Sequence, residues 1–157
     1  MSPESKLARL NLAGTLAAQQ RFPEAKEHVD KLLEIAPKIS EGHFILALCD
    51  ESAGDDANAE RHLLDTLEYE PGHPRARLEL ARVLRRTGRS EEAAARYREV
   101  LAGSRSLAGA WIELGSLLES QGLANEAVTV YNEALRSIPN LKAATEALAR
   151  IEATKKL

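Results

Sequence analysis

Four histidines, His28, His43, His62 and His73, and one cysteine, Cys49, are the residues whose side chains could hold a metal or act as base or nucleophile. Such chemistry needs its groups brought together, either on one helix face or at a family-typical ligand spacing. The histidines show no ligand spacing, and His43 and Cys49, six apart on one helix, point to different faces. No phosphate-binding loop, dinucleotide fingerprint, nucleophile elbow or zinc-helix motif is present. The sequence therefore assigns no catalytic residue, no metal and no cofactor. A single cysteine forms no internal disulfide, and Cys49 reads as a small packing residue. Arginine is the other chemistry-bearing type, with eight residues between positions 75 and 98. A guanidinium binds a carboxylate through two parallel hydrogen bonds, so an acidic protein segment suits them. Nucleic acid suits them less: acidic stretches lie on both sides, and the one aromatic nearby, Tyr97, falls at a buried position of the pattern.

The elements that must position these groups are helices. The chain has 157 residues, 44% hydrophobic and 29% charged, with a net charge of −3. It is rich in Ala, Leu, Glu and Arg, which favours helix over strand. No apolar run approaches the ~18 residues that a bilayer requires, so membrane insertion is not expected. The start MSPESKLARL shows no charged region followed by an apolar core, so no targeting segment is read. A cytoplasmic setting is favoured, and a periplasmic one would need a leader outside this sequence. In WIELGSLLESQG, residues 111–122, Trp111, Leu114, Gly115 and Leu118 share one helix face. Gly122 breaks that helix, Ala127, Val130, Tyr131 and Ala134 mark a second, and Pro139 stops it.

This hairpin repeats every 34 residues. Residues 6–39, 40–73, 74–107 and 108–141 align without a gap, giving the columns Leu12, Leu46, Leu80, Leu114 and Ala13, Ala47, Ala81, Gly115. Another column is Ala25, Ala59, Ala93, Ala127, and the turn glycines Gly54, Gly88 and Gly122 are 34 apart. Small columns are needed where helices cross closely, because a larger side chain would hold the backbones apart. The fourth block, with Trp111, Leu114, Gly115, Gly122, Ala127, Tyr131, Ala134 and Pro139, resembles the tetratricopeptide repeat. The other blocks match less fully: Arg105 replaces the proline, Gln20 replaces the first glycine, and Asp50 stands where a bulky apolar residue is usual. Residues 142–156 resemble the terminal helix that covers the last repeat, with Leu148 and Ala149 continuing two columns.

The resemblance implies an all-α fold, a right-handed superhelical α-solenoid of four helix-turn-helix units plus a C-terminal capping helix, forming a single domain over 1–157. It also implies a non-enzymatic scaffold whose concave groove, lined by the first helix of each repeat, holds a peptide or tail of a partner protein. The family's groove positions select Arg75, Leu78, Arg82, Arg85 and Arg86 in the third block, and Leu10, Phe44, Leu48 and Ile112 in the others. Leu10, Phe44, Leu78 and Ile112 form one apolar column, which either contacts a partner or packs between neighbouring first helices. The expected partner has apolar anchors and acidic flanks. The chaperone-type carboxylate clamp is absent, since its positions hold Leu10, Gly14, Ile45, Arg75 and Glu79, and so is the asparagine ladder of the sugar-transferring relatives. The alternative is the repeat region of a larger enzyme or of a secretion, pilus or polysaccharide machine, mediating docking or oligomerisation. Leu7 and Leu10 would then form a self-association edge.

Net charges of +2, −8, +5 and −3 for the four blocks favour attraction between neighbours of opposite sign. Glu79 lies three residues before Arg82 and is its expected helix partner. Asp50 must find a partner or sit where the second repeat has shifted, and a locally loosened second repeat is the expectation.

Overall fold

The computed structural model describes residues 3–154, with side chains from residue 5. Its described residues form nine helices and no strand: α1 (Pro3–Ala18), α2 (Phe22–Leu33), α3 (Ser40–Ser52), α4 (Asp56–Tyr69), α5 (Pro74–Arg86), α6 (Ser90–Gly103), α7 (Ala108–Ser120), α8 (Ala124–Ser137) and α9 (Lys142–Thr154). The chain divides into two compact units, Met1–Val83 and Leu84–Leu157.

The turn inside each helix pair is built the same way four times. Gln20, Gly54, Gly88 and Gly122 have φ of 61, 76, 80 and 77°. The next residue donates its N–H to a carbonyl five positions back: Arg21 to Leu16, Asp55 to Asp50, Arg89 to Leu84 and Leu123 to Leu118, each at 2.9 Å. That bond satisfies a helix-end carbonyl and ends the helix in a left-handed residue, where glycine alone escapes a Cβ penalty. Gln20 bears that penalty, which is roughly 1–2 kcal/mol per residue. Gln20→Gly should therefore stabilise the chain by about 0.5–1 kcal/mol, since unfolded glycine gains back part of the difference. A urea midpoint that rises at unchanged slope is the expected result, and one that falls would refute this account of the turn.

In the first unit, Ala13, Leu16 and Ala17 of α1 pack with Ala25 and Val29 of α2 and with Ile45, Leu46 and Cys49 of α3. In the second, Ala93 and Tyr97 of α6, Trp111, Leu114 and Leu118 of α7, and Ala127, Tyr131 and Ala134 of α8 are all buried. Gly115 lies against the Tyr131 ring, as the column of small residues implies. The columns fail at two places. Leu12 is 46% exposed whereas Leu46, Leu80 and Leu114 are buried, because none of the described helices covers that side of α1. On α9 the buried positions are Ala144, Ala147 and Ile151. Leu148 is half-buried and Ala149 exposed, so the closing helix presents a different face from the columns it continues in sequence.

Candidate functional site

A groove of about 540 Å³ opens in the first unit between α1 and α3. It exists because α1 offers Gly14, Ala17 and Ala18 there, small residues that leave room in front of Ile45 and Leu48. Arg75, at the start of α5, closes one side, with its guanidinium carbon 4.6 Å from the centre of the Phe44 ring. A cation over a ring face is held by the ring quadrupole, which fixes the arginine without using its hydrogen-bond donors. Phe44 is wholly buried, and its ring also lies 4.8 Å from the His73 ring. His73 is in turn held by Glu41, with Nε2 3.1 Å from Oε2. Phe44 is thus the floor on which Arg75 rests, and Leu48 is the half-buried apolar surface above it. Leu10 lines an adjoining depression that shares Gly14, Ala18, Glu41 and Ile45 with the groove.

The remaining residues singled out from the sequence lie elsewhere. Leu78 is half-buried on α5. Arg82 pairs with Glu79 at 2.9 Å, the helix partner its spacing indicated. Arg85 and Arg86 are exposed at the end of α5, and Ile112 is half-buried on α7, all three in the second unit. Leu7 is 60% exposed on α1.

A second cluster joins α3 and α4, and no sequence spacing revealed it. His43 Nδ1 lies 3.4 Å from His62 Nδ1, and Asp65 Oδ2 lies 3.5 and 3.7 Å from those two atoms. His43 Nε2 is 2.8 Å from the Pro37 carbonyl. Beside the cluster is Asp50, whose side chain is only 5% exposed. Its Oδ1 accepts a bond from Lys26 at 2.7 Å, and its Oδ2 lies 3.6 Å from His62 Nε2. This corrects the expectation of a loosened second repeat: the carboxylate is paired, and α3 and α4 run without a break. Burial, with Arg61 adding to it, holds the His62 imidazole below its usual pKa, so it is neutral at physiological pH. Burial also pushes the Cys49 thiol up to about 11, which leaves it protonated and unsuited to nucleophilic work.

The second unit has a pocket of about 420 Å³ between α6 and α8, with Leu101, Trp111 and Val130 inside and Arg98, Arg105 and Glu133 among its charged lining. Arg105 stands where the other blocks have proline, and its carbonyl accepts the Trp111 indole N–H at 2.9 Å. Arg98 and Glu126 pair across the pocket at 3.3 Å.

Family models for the tetratricopeptide repeat match residues 52–102 and 86–142. The chain belongs to the tetratricopeptide repeat family. Solved structures agree on the fold. A MamA protein is 21% identical over 86% of this chain and 74% of its own, with a TM-score of 0.78. PilF of Pseudomonas aeruginosa is 19% identical over 98% of this chain and 70% of its own, with a TM-score of 0.82. YrrB, described as a tetratricopeptide protein with an unusual peptide-binding site, is 16% identical over 94% of this chain and 76% of its own, with a TM-score of 0.79. No curated protein matches the sequence. The architecture is thus an all-α tetratricopeptide solenoid, and repeats of this family are generally non-catalytic interaction modules. Among the described residues no helix is long and apolar enough to cross a membrane.

Proposed function

We propose that this tetratricopeptide chain is a single-domain, non-enzymatic scaffold that binds an extended segment of a partner protein in the groove between α1 and α3. The observation that carries this reading is Arg75, held over the Phe44 ring with its donors left for a ligand, beside the apolar surface of Ile45 and Leu48. An apolar anchor of the partner would lie on Leu48 and Ile45, and a carboxylate flanking it would take the bidentate face of Arg75. Leu10 would extend the apolar contact along α1. Leu78 and Arg82, the other groove positions of the family within this unit, would contribute further contacts to a longer segment.

Selection of peptides from a random displayed library against the intact chain tests this reading. The selected peptides should pair an apolar residue with an acidic neighbour, and Arg75→Glu should weaken them about tenfold or more, a value of ~1.4 kcal/mol or above. Retained affinity in Arg75→Glu would remove the groove from the account.

A second reading has its own observation. Leu7 and Leu12 of α1 are 60 and 46% exposed, apolar side chains on different sides of the helix that are open to docking or self-association, as in a repeat region serving a larger assembly. Leu10 is half-buried and would contribute less. On this reading Leu7→Glu with Leu12→Glu lowers the mass measured by sedimentation, whereas Arg75→Glu leaves it unchanged.

A further inference from the structure

We propose that His43, His62 and Asp65 form a three-ligand site for a borderline divalent transition metal of the zinc class, with Asp50 orienting His62 from behind. A tetrahedral zinc ion with bonds of about 2.0–2.1 Å separates its ligand atoms by about 3.3–3.4 Å. His43 Nδ1, His62 Nδ1 and Asp65 Oδ2 are separated by 3.4, 3.5 and 3.7 Å, a triangle that one ion can bridge with small closing movements. An octahedral cation such as magnesium would need the atoms closer together and prefers an all-oxygen set. The fourth tetrahedral position would be left to water or an outside ligand, and Asp65, 29% exposed, marks the side from which both ion and ligand enter.

The surrounding groups set the tautomers. The Pro37 carbonyl can only accept, so the hydrogen bond at 2.8 Å places the His43 proton on Nε2 and leaves the Nδ1 lone pair facing the cluster. Metal-bound histidine usually has this second contact, which fixes the ring and raises its basicity. His62 has the corresponding acceptor in Asp50 Oδ2, a buried carboxylate oxygen with no hydrogen-bond partner, 3.6 Å from His62 Nε2. With the proton on Nε2 and directed at Asp50, His62 Nδ1 becomes a ligand. Arg61, which also reaches His62 Nε2 at 3.0 Å, is exposed and already bonds Asn58, so it can give up that contact. The orphaned oxygen and the position of Asp50, where the repeat expects an apolar side chain, are thereby explained together. Asp65 follows His62 by three residues on α4, the same face of one helix, and α3 supplies the third ligand.

Zinc titration of the intact, untagged chain after chelator treatment tests the site, followed by calorimetry and by the visible spectrum of the cobalt-substituted protein. One ion per chain, a tetrahedral cobalt spectrum and no competition from excess magnesium are expected. Asp65→Asn preserves shape at a partly exposed position, and it should weaken binding at least about tenfold, as should His62→Gln. Asp50→Asn should lower affinity by about 10–100-fold without changing stoichiometry, the usual cost of losing an outer partner. His28→Ala, on α2 and outside the cluster, should bind as the wild type does. Absence of one-to-one binding by the wild type would overturn the proposal, and so would affinity that survives Asp65→Asn in a chain shown to be folded by circular dichroism.

Discussion

Gly115→Ala should destabilise the protein by about 1–2 kcal/mol, although it adds one methyl group to a helix that alanine otherwise favours. A Cβ at Gly115 would overlap Cε1 and Cζ of Tyr131 and lie 2.8 Å from its hydroxyl oxygen. The ring has nowhere to go: Tyr131 is 1% exposed, and its hydroxyl donates to Glu119 at 2.7 Å. Arg150 of α9 grips the same carboxylate at 2.8 and 3.0 Å. Relief therefore requires α7 and α8 to separate or the Tyr131–Glu119–Arg150 chain to break. Overpacking of this kind costs ~1–3 kcal/mol and occasionally more, and the helix preference for alanine over glycine returns up to ~1 kcal/mol. Tyr131→Leu removes the overlapping atoms. The double variant should therefore be less destabilised than the two single losses added together, with a coupling above ~1 kcal/mol. Strictly additive losses, or a Gly115→Ala protein as stable as wild type, would refute the close approach of α7 and α8.

The second large effect concerns Lys26 and Asp50. Lys26→Met removes the cation that faces a carboxylate only 5% exposed, while Lys26 itself is 47% exposed. A wholly buried pair broken in this way loses ~3–5 kcal/mol, and partial access of water to this one should reduce the loss to about 2 kcal/mol. Asp50→Leu combined with Lys26→Met replaces the pair with the apolar residue that the repeat pattern expects, and stability should return to or exceed that of the wild type. Guanidinium denaturation of the three proteins measures both effects. If the double variant is no more stable than Lys26→Met alone, the loss in Lys26→Met does not come from leaving the Asp50 carboxylate buried without its cation. The double variant also deletes the carboxylate behind His62, so regained stability and weakened zinc affinity should appear in one protein.

Much of the fold was legible because the 34-residue period encodes stacking, and stacking repeats the same requirements at the same columns. Ala13, Ala47, Ala81 and Gly115 are small for one reason, and Gly54, Gly88 and Gly122 are glycines for another. What the period could not convey is where stacking stops: Leu12 and Ala149 occupy columns that are buried elsewhere, yet each is exposed. Among the residues singled out from the sequence, the pairing of Arg82 with Glu79 was readable because it lies within one helix turn. The burial of Phe44 beneath Arg75 was not, since it depends on how α5 begins against α3. The histidine cluster was hidden for the same reason. His43 and His62 are 19 residues apart on antiparallel neighbours, and only the α3–α4 register brings them to 3.4 Å. One signal was available: Asp50, a carboxylate at an apolar column, with His62 and Asp65 three apart on the helix that follows.

Mapping by two-dimensional amide NMR of a peptide selected against the intact chain tests the central claim most directly. Shifts confined to the groove, at Gly14, Ala18, Ile45, Leu48 and Arg75, and abolished by Arg75→Glu, are the predicted result. Shifts centred on Leu7 and Leu12, or on the α6–α8 pocket around Arg105 and Trp111, with the groove unchanged, would contradict it.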